Sequence, residues 1–272
     1  MKVISIQSQV VHGHVGNSAA VFPMQAAGIE VAAVPTTLLS NHPHYPTMRG
    51  QVLDAALVAD LLLGVEERGI IEEASFLVTG YLGSAAIAEV VADFVARAKA
   101  HNPKLTYVCD PVMGDSDTGV YVANGILEVF AGRLVPAADI VTPNQFELEL
   151  LTGRSIATRE DLAGARSRLV VAGCPRAVVT GCHFVGERAD ELTTVVCEPD
   201  GMTFLRSRRL DIRPAGTGDL LTAFMIGALG EGRSLPTAAA GAVERMNDVL
   251  RRTAAEGRAE MVVIEKMRPD RM

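Results

Sequence analysis

Short runs of β-branched and apolar residues recur along the chain, and each is followed by a longer stretch whose apolar positions repeat at helical spacing. The runs 3–6, 31–34, 75–78, 105–109, 139–141 and 177–180 predict strands. Most are nearly continuous in apolar character, as expected of strands covered on both faces. Helices are predicted between them over 18–27, 53–68, 84–101, 124–134, 145–151 and 159–172. This alternation, with enough residues for a crossover each time, implies a parallel sheet. After Thr180 the pattern changes. The extended segments 191–197 and 202–209 flank the turn signal Pro199-Asp200-Gly201, which predicts an antiparallel hairpin at a sheet edge. Helices over 217–229 and 235–255 and a short last strand over 261–264 complete the expectation. In open sheets of this kind ligands bind beyond the carboxyl ends of the strands, so polar residues immediately after strands are the candidates for chemistry.

Composition narrows the function classes. A chain of 272 residues with 49% hydrophobic and 21% charged positions has material for one large core, and we expect one domain. Twenty-five Lys and Arg against 32 Asp and Glu give a formal charge of −7, which argues against a nucleic-acid partner. No tryptophan and 4% aromatics remove the stacking platforms of a single-strand binder. The longest apolar stretches, such as 55–65, are interrupted by Asp60 and fall short of the ~20 residues of a membrane span. No targeting segment is evident, so a cytoplasmic location is expected. The cysteines Cys109, Cys174, Cys182 and Cys197 show no CxxC spacing and read as reduced and mostly buried.

The sharpest chemical signal is Ala215-Gly216-Thr217-Gly218-Asp219 at the start of an apolar helix. Glycines allow a close backbone turn, and the free amides of a helix start attract anions. Asp219 would repel an anion unless it faces a second substrate's hydroxyl, and the role of general base resolves that conflict. A glycine-rich turn whose Asp merely caps the helix is the competing reading. Asp110 directly follows a strand, and Asn144 and Glu147 share one face of a helix's first turn by their i, i+3 spacing. Thr142-Pro143-Asn144-Gln145 reads as a capping box with Pro at the first helical position, which requires neither Asn144 nor Glu147. Taken singly, each acid reads as a solvated loop residue; together, two carboxylates and an amide at one sheet edge suit magnesium. The histidines His12, His14, His42 and His44 match no closed zinc spacing. Tyr81, at a strand end, is a candidate wall for a flat ring as well as a core or interface residue.

The segments Ile6-Gln7-Ser8 through His12-Gly13-His14-Val15-Gly16-Asn17-Ser18, Ser40-Asn41-His42, Gly80-Tyr81-Leu82-Gly83-Ser84, Cys109-Asp110-Pro111-Val112-Met113-Gly114 and Gly216-Thr217-Gly218-Asp219 together resemble the pyridoxal kinases of the ribokinase-like superfamily. The resemblance implies a three-layer α/β/α sandwich over 1–272 with a mainly parallel sheet and an antiparallel edge hairpin. It implies a small lid near 36–50 and commonly a homodimer. The activity implied is ATP-dependent phosphorylation of the 5′-hydroxymethyl group of pyridoxal, with pyridoxine and pyridoxamine as further acceptors, using magnesium and often a monovalent cation such as potassium. By position, Asp219 resembles the base and Ala215, Gly216, Thr217 and Gly218 the anion hole. Asp110 and Glu147 resemble the residues around the metal and phosphates, with Thr142, Asn144 and Thr180 on the nucleotide side. Ser8 resembles the pyridine-nitrogen contact, with Tyr81 beside the ring. Three departures stand out: Pro43 and His44 replace the Thr that often follows Ser-Asn-His and reaches the ring substituents, Val120 stands where some members have a reactive cysteine, and the stretch 210–214 is shorter than in several relatives. Two rival readings are a hydroxymethylpyrimidine kinase, which shares the glycine box, and a non-catalytic protein that binds B6 vitamers.

Overall fold

Strands β1 (Lys2–Val10), β2 (Glu30–Leu39), β3 (Gly50–Val52), β4 (Ala74–Thr79), β5 (Thr106–Cys109), β6 (Gly114–Asp115), β7 (Gly119–Val120), β8 (Ile140–Val141), β9 (Ala177–Cys182), β10 (Glu191–Glu198) and β11 (Gly201–Arg208) alternate with helices along the chain. The coordinates are those of a computed structural model that describes residues 1–264. The nine strands other than β6 and β7 form one sheet, ordered β11-β10-β9-β8-β5-β4-β1-β2-β3. Strands β2, β1, β4, β5, β8 and β9 pair in parallel. The expected hairpin β10–β11 is antiparallel and ends one edge, and β3 pairs antiparallel with β2 at the other.

The helices are α1 (Asn17–Ala26), α2 (Ala55–Glu67), α3 (Ile70–Glu73), α4 (Ala85–His101), α5 (Ile126–Val129), α6 (Val135–Ala137), α7 (Gln145–Thr152), α8 (Arg159–Val171), α9 (Thr217–Gly230) and α10 (Leu235–Ala255). Successive strand residues feed opposite cores, as the two-residue side-chain period requires. Ile4, Ile6, Leu77, Tyr107, Cys109 and Val179 join the core under α2, α4, α7 and α8. Val3, Phe76, Val78, Val108 and Val178 join the core under α1, α9 and α10. Apolar continuity in these strands is thus the signature of two covered faces. All four cysteines are buried and free.

Two expectations need correction. The segment 261–264 forms no strand: Met261 and Val262 are buried, but they pack beside α10, where the Val262 amide donates to the Thr253 hydroxyl at 3.0 Å. The helix expected over 124–134 is α5 followed by a π-helical turn, Phe130–Leu134. In the segment 36–50, where a small lid is expected, residues up to Leu39 continue β2 and Gly50 opens β3, which leaves a loop over 40–49.

The chain leaves β1 for β2 on one side and returns to β4 on the other, so the strand order reverses between β1 and β4. A crevice opens beyond the strands' carboxyl ends at such a switch point. Ser8 lies there opposite a register shift between β1 and β2, where two β2 residues face one of β1. Tyr81 follows β4 on the same rim.

Candidate active site

Asp219 stands in the first turn of α9, whose N-cap, Gly216, has φ 78° and offers no side-chain cap. A Cβ on Gly216 would collide with the carbonyl oxygen of His14, so the glycine box and the 12–16 turn lie backbone to backbone. That turn reaches the acid directly: the Gly16 amide donates to Asp219 Oδ2 at 2.8 Å. Gly16 itself is closely backed by Ser8, since a Cβ there would strike the Ser8 carbonyl oxygen. Half-buried Asp219 therefore touches the turn beside Ser8, and the competing reading of a mere helix cap does not describe its bond. Burial raises its carboxyl to about 6, against the opposing pull of the Gly16 amide.

Asp110 and Glu147 are not solvated loop acids; each is 4% exposed. Asp110 follows β5, and the nearby Thr142 and Thr222 hydroxyls work to lower its pKa. Burial pushes it well above the usual carboxylate range, and the charges of Glu147 and Asp219 push further in the same direction. Glu147 is held by backbone. Its Oε1 accepts from the Met113 amide at 2.9 Å, and its Oε2 from the Asn144 amide at 2.9 Å. Burial still raises it, although these amides oppose the rise.

The capping box was expected without these two residues, yet it consists of them. Asn144 is the N-cap of α7, its side chain accepts the Glu147 amide at 2.8 Å, and Glu147 caps back. Pro143 lies before the cap, so it is not the first helical residue. The bonds continue outward: Asn144 Nδ2 donates to the Gly114 carbonyl at 2.8 Å. One helix start thereby fixes the backbone after Asp110, and Thr180 bridges to Asn144 from the adjoining strand.

Several contacts escaped sequence reasoning. Tyr121, which follows the small hairpin β6–β7, is 50% exposed. Its amide donates to the Met113 carbonyl at 3.0 Å, beside the acidic pocket of Asp110 and Glu147, and burial followed by the charges of Glu147, Asp219 and Asp110 raises its hydroxyl pKa. Asp117 at the hairpin tip pairs with Arg213, in the stretch before the glycine box. Gly16 was visible only as part of a polar turn, and its link to Asp219 spans 203 residues. His44, a candidate for the substrate side, is exposed and packs edge-on against buried His42 with ring centroids 5.3 Å apart. Half-buried Tyr81 is anchored through its carbonyl, which accepts from Thr36 at 2.7 Å.

The arrangement joins an uncapped helix start, a buried Asp110 repelled by the charges of Glu147 and Asp219, and a crevice at the switch point. Among the described residues no three His, Cys, Asp or Glu side chains converge into a ready-made metal cage. The acids are all oxygen donors, which matches a small hard cation that shares its coordination with phosphate and water.

The sequence model of a family described as phosphomethylpyrimidine kinase matches residues 67–263. The chain is similar to the pyridoxal kinase of Corynebacterium diphtheriae, at 37% identity over 97% of this chain and 94% of that protein. It is also 37% identical to the pyridoxal kinase of Bos taurus, over 93% of this chain and 85% of that one. Among solved structures, pyridoxal kinase from Leishmania donovani in complex with ADP and pyridoxamine superimposes with a TM-score of 0.88 at 28% identity, covering 96% of this chain and 92% of that chain. With this identity sustained along nearly its whole length and the ribokinase-like sheet to match, the chain belongs to the pyridoxal kinase family.

Proposed function

We propose that this chain transfers the terminal phosphoryl group of ATP to the 5′-hydroxymethyl group of pyridoxal, pyridoxine or pyridoxamine, with Asp219 as the base. The hydroxyl oxygen bonds to the γ-phosphorus, the bond from that phosphorus to the bridging oxygen breaks, ADP leaves, and the proton passes to Asp219. The observation that carries this reading is Asp219 itself: a carboxyl raised to about 6, oriented by the Gly16 amide, at the mouth of an uncapped helix. A base poised near neutral pH combines a large deprotonated fraction with a useful proton affinity. The amides from Ala215 to Gly218 would compensate charge on the moving phosphoryl group, which is most of what such transfer requires.

Asp110, Thr142, Asn144, Glu147 and Thr180 line the nucleotide side in this reading. Magnesium would supply charge compensation on the phosphates. Asp110 is its direct carboxylate candidate, whereas Glu147, with both oxygens already accepting amides, would act through water or by fixing the Met113–Gly114 backbone. Ser8 would meet the pyridine nitrogen, with Tyr81 and His44 near the ring. Homology supports a vitamer over a pyrimidine, and so does position: the phosphomethylpyrimidine kinase match begins at residue 67, after both the 6–18 box and Ser40-Asn41-His42. A homodimer is supported by the part of β2 over 30–35 that β3 does not cover and by exposed Leu38, Val52, Leu57, Leu61 and Leu63 of β2, β3 and α2.

Purified protein supplied with ATP and magnesium should release ADP with each of the three vitamers and much less with hydroxymethylpyrimidine. Turnover of the pyrimidine alone, or vitamer binding without ADP release, would contradict the assignment.

A further inference from the structure

Glu260 lies five residues beyond the end of α10 and is 6% exposed, yet it belongs to neither the glycine box nor the acidic pocket. Its carboxylate gathers two segments that the sequence keeps far apart. From the 40–49 loop, the Tyr45 hydroxyl donates to Oε1 at 2.7 Å and His42 Nε2 lies 2.7 Å from the same oxygen. From the 12–16 turn, the His14 amide donates to Oε2 at 3.2 Å. Gly13 is packed so closely that an added Cβ would come within 2.8 Å of Oε2. The carboxylate thereby has partners on both oxygens, and burial, which works to raise its pKa, is outweighed by the donations from Tyr45 and His42.

Both segments border the reacting end. The 12–16 turn holds Asp219 through Gly16 and backs Gly216 through the His14 carbonyl. The 40–49 loop carries the His42 and Tyr45 rings, 4.8 Å apart, on the ring side. Without Glu260 the described contacts between them reduce to the exposed pair of His12 Nε2 and Tyr45 hydroxyl at 3.2 Å and to the backbone bonds of Val11 and His12 to Leu39 and Ser40.

We propose that Glu260 is a positioning residue for the acceptor: it locks the loop bearing His42 and Tyr45 to the turn bearing His14 and Gly16, fixing the spacing between ring wall and base. This rests on the reading of Asp219 and the vitamer given above. Glu260 acts through its partners rather than on the substrate, so its loss should appear in acceptor binding and leave the nucleotide side untouched.

Steady-state kinetics of Glu260→Gln, Tyr45→Phe and the double variant, with each substrate varied in turn, test the proposal. Glu260→Gln should raise the acceptor KM roughly tenfold, the scale of a lost charged hydrogen bond, with the ATP KM unchanged. Tyr45→Phe should raise it less, and the double variant should fall short of the product of the two. An unchanged acceptor KM, or equal rises for both substrates, would overturn it. Hydrogen exchange read without turnover separates this claim from the activity itself. In Glu260→Gln the amides of 12–16 and 41–47 should exchange faster while those of 110–115 stay protected, and unaltered exchange in the first two segments would refute the lock. If the unmodified chain phosphorylates no vitamer, the activity reading fails and the exchange result still decides whether Glu260 joins the segments.

Discussion

At the scale of single residues, three carboxyls with raised pKa values set the pH behaviour. Asp219 must be deprotonated to accept a proton, so kcat/KM for the acceptor should climb about tenfold per pH unit below its pKa of about 6 and level off above it. A pH–rate profile with no inflection there would count against the base. Stability moves the other way. A carboxyl raised above its unfolded value of ~4 leaves the fold most stable below that value and costs stability as pH rises through the folded pKa. Asp219→Asn should therefore raise the melting temperature of the ligand-free protein at pH 8 and change it little at pH 4. Roughly 2–4 °C is expected, the shift that about 1 kcal/mol produces in a chain near this size, since partial exposure screens part of the full effect. Asp110, Asp219 and the glycine box were legible because each follows a strand or opens a helix, where sequence position alone implies exposure to a ligand. Gly16, Tyr121 and Glu260 were not, because their partners lie far away in sequence and no local periodicity encodes such a meeting.

At the scale of elements, the start of α7 is the part whose structure and chemistry are hardest to separate. Asn144 and Glu147 cap the helix and hold the Met113–Gly114 backbone with the same atoms. Asn144→Ala should cost about 1 kcal/mol of stability from the lost cap and also raise the ATP KM several-fold as the Asp110 loop loosens. Thermal denaturation and nucleotide kinetics measured together would detect the coupling, and a stability loss with an unchanged ATP KM would show that the cap is only structural. The i, i+3 spacing revealed that the two residues share a face, but proline at 143 suggested the wrong cap. Long elements were readable because both faces of the sheet and one stripe of each helix are apolar. Elements β3, β6, β7 and α3 are too short for any period to register. Met261 and Val262 were misread as a strand because burial beside α10 and strand pairing select the same apolar residues.

At the scale of the molecule, the strand reversal between β1 and β4 brings together a turn from the amino-terminal end, the acids of the middle and the glycine box near residue 216, so the site is a property of topology. Ligand binding should stabilise the whole unit by mass action, about 2.7 kcal/mol at a hundredfold excess over Kd, with ATP, magnesium and vitamer together exceeding any one alone. The part of β2 that β3 leaves uncovered makes a further claim: sedimentation should give twice the chain mass, and Leu61→Glu with Leu57→Glu should halve it, whereas a monomer for the unmodified chain would leave that edge without the proposed role. The central claim remains that the Asp219 carboxylate removes the acceptor's proton. Single-turnover transfer in Asp219→Asn with saturating ATP, magnesium and pyridoxal tests it most directly. A rate lowered 10²–10⁴-fold with pyridoxal affinity nearly unchanged is predicted, and a rate within a few-fold of the unmodified protein would contradict it.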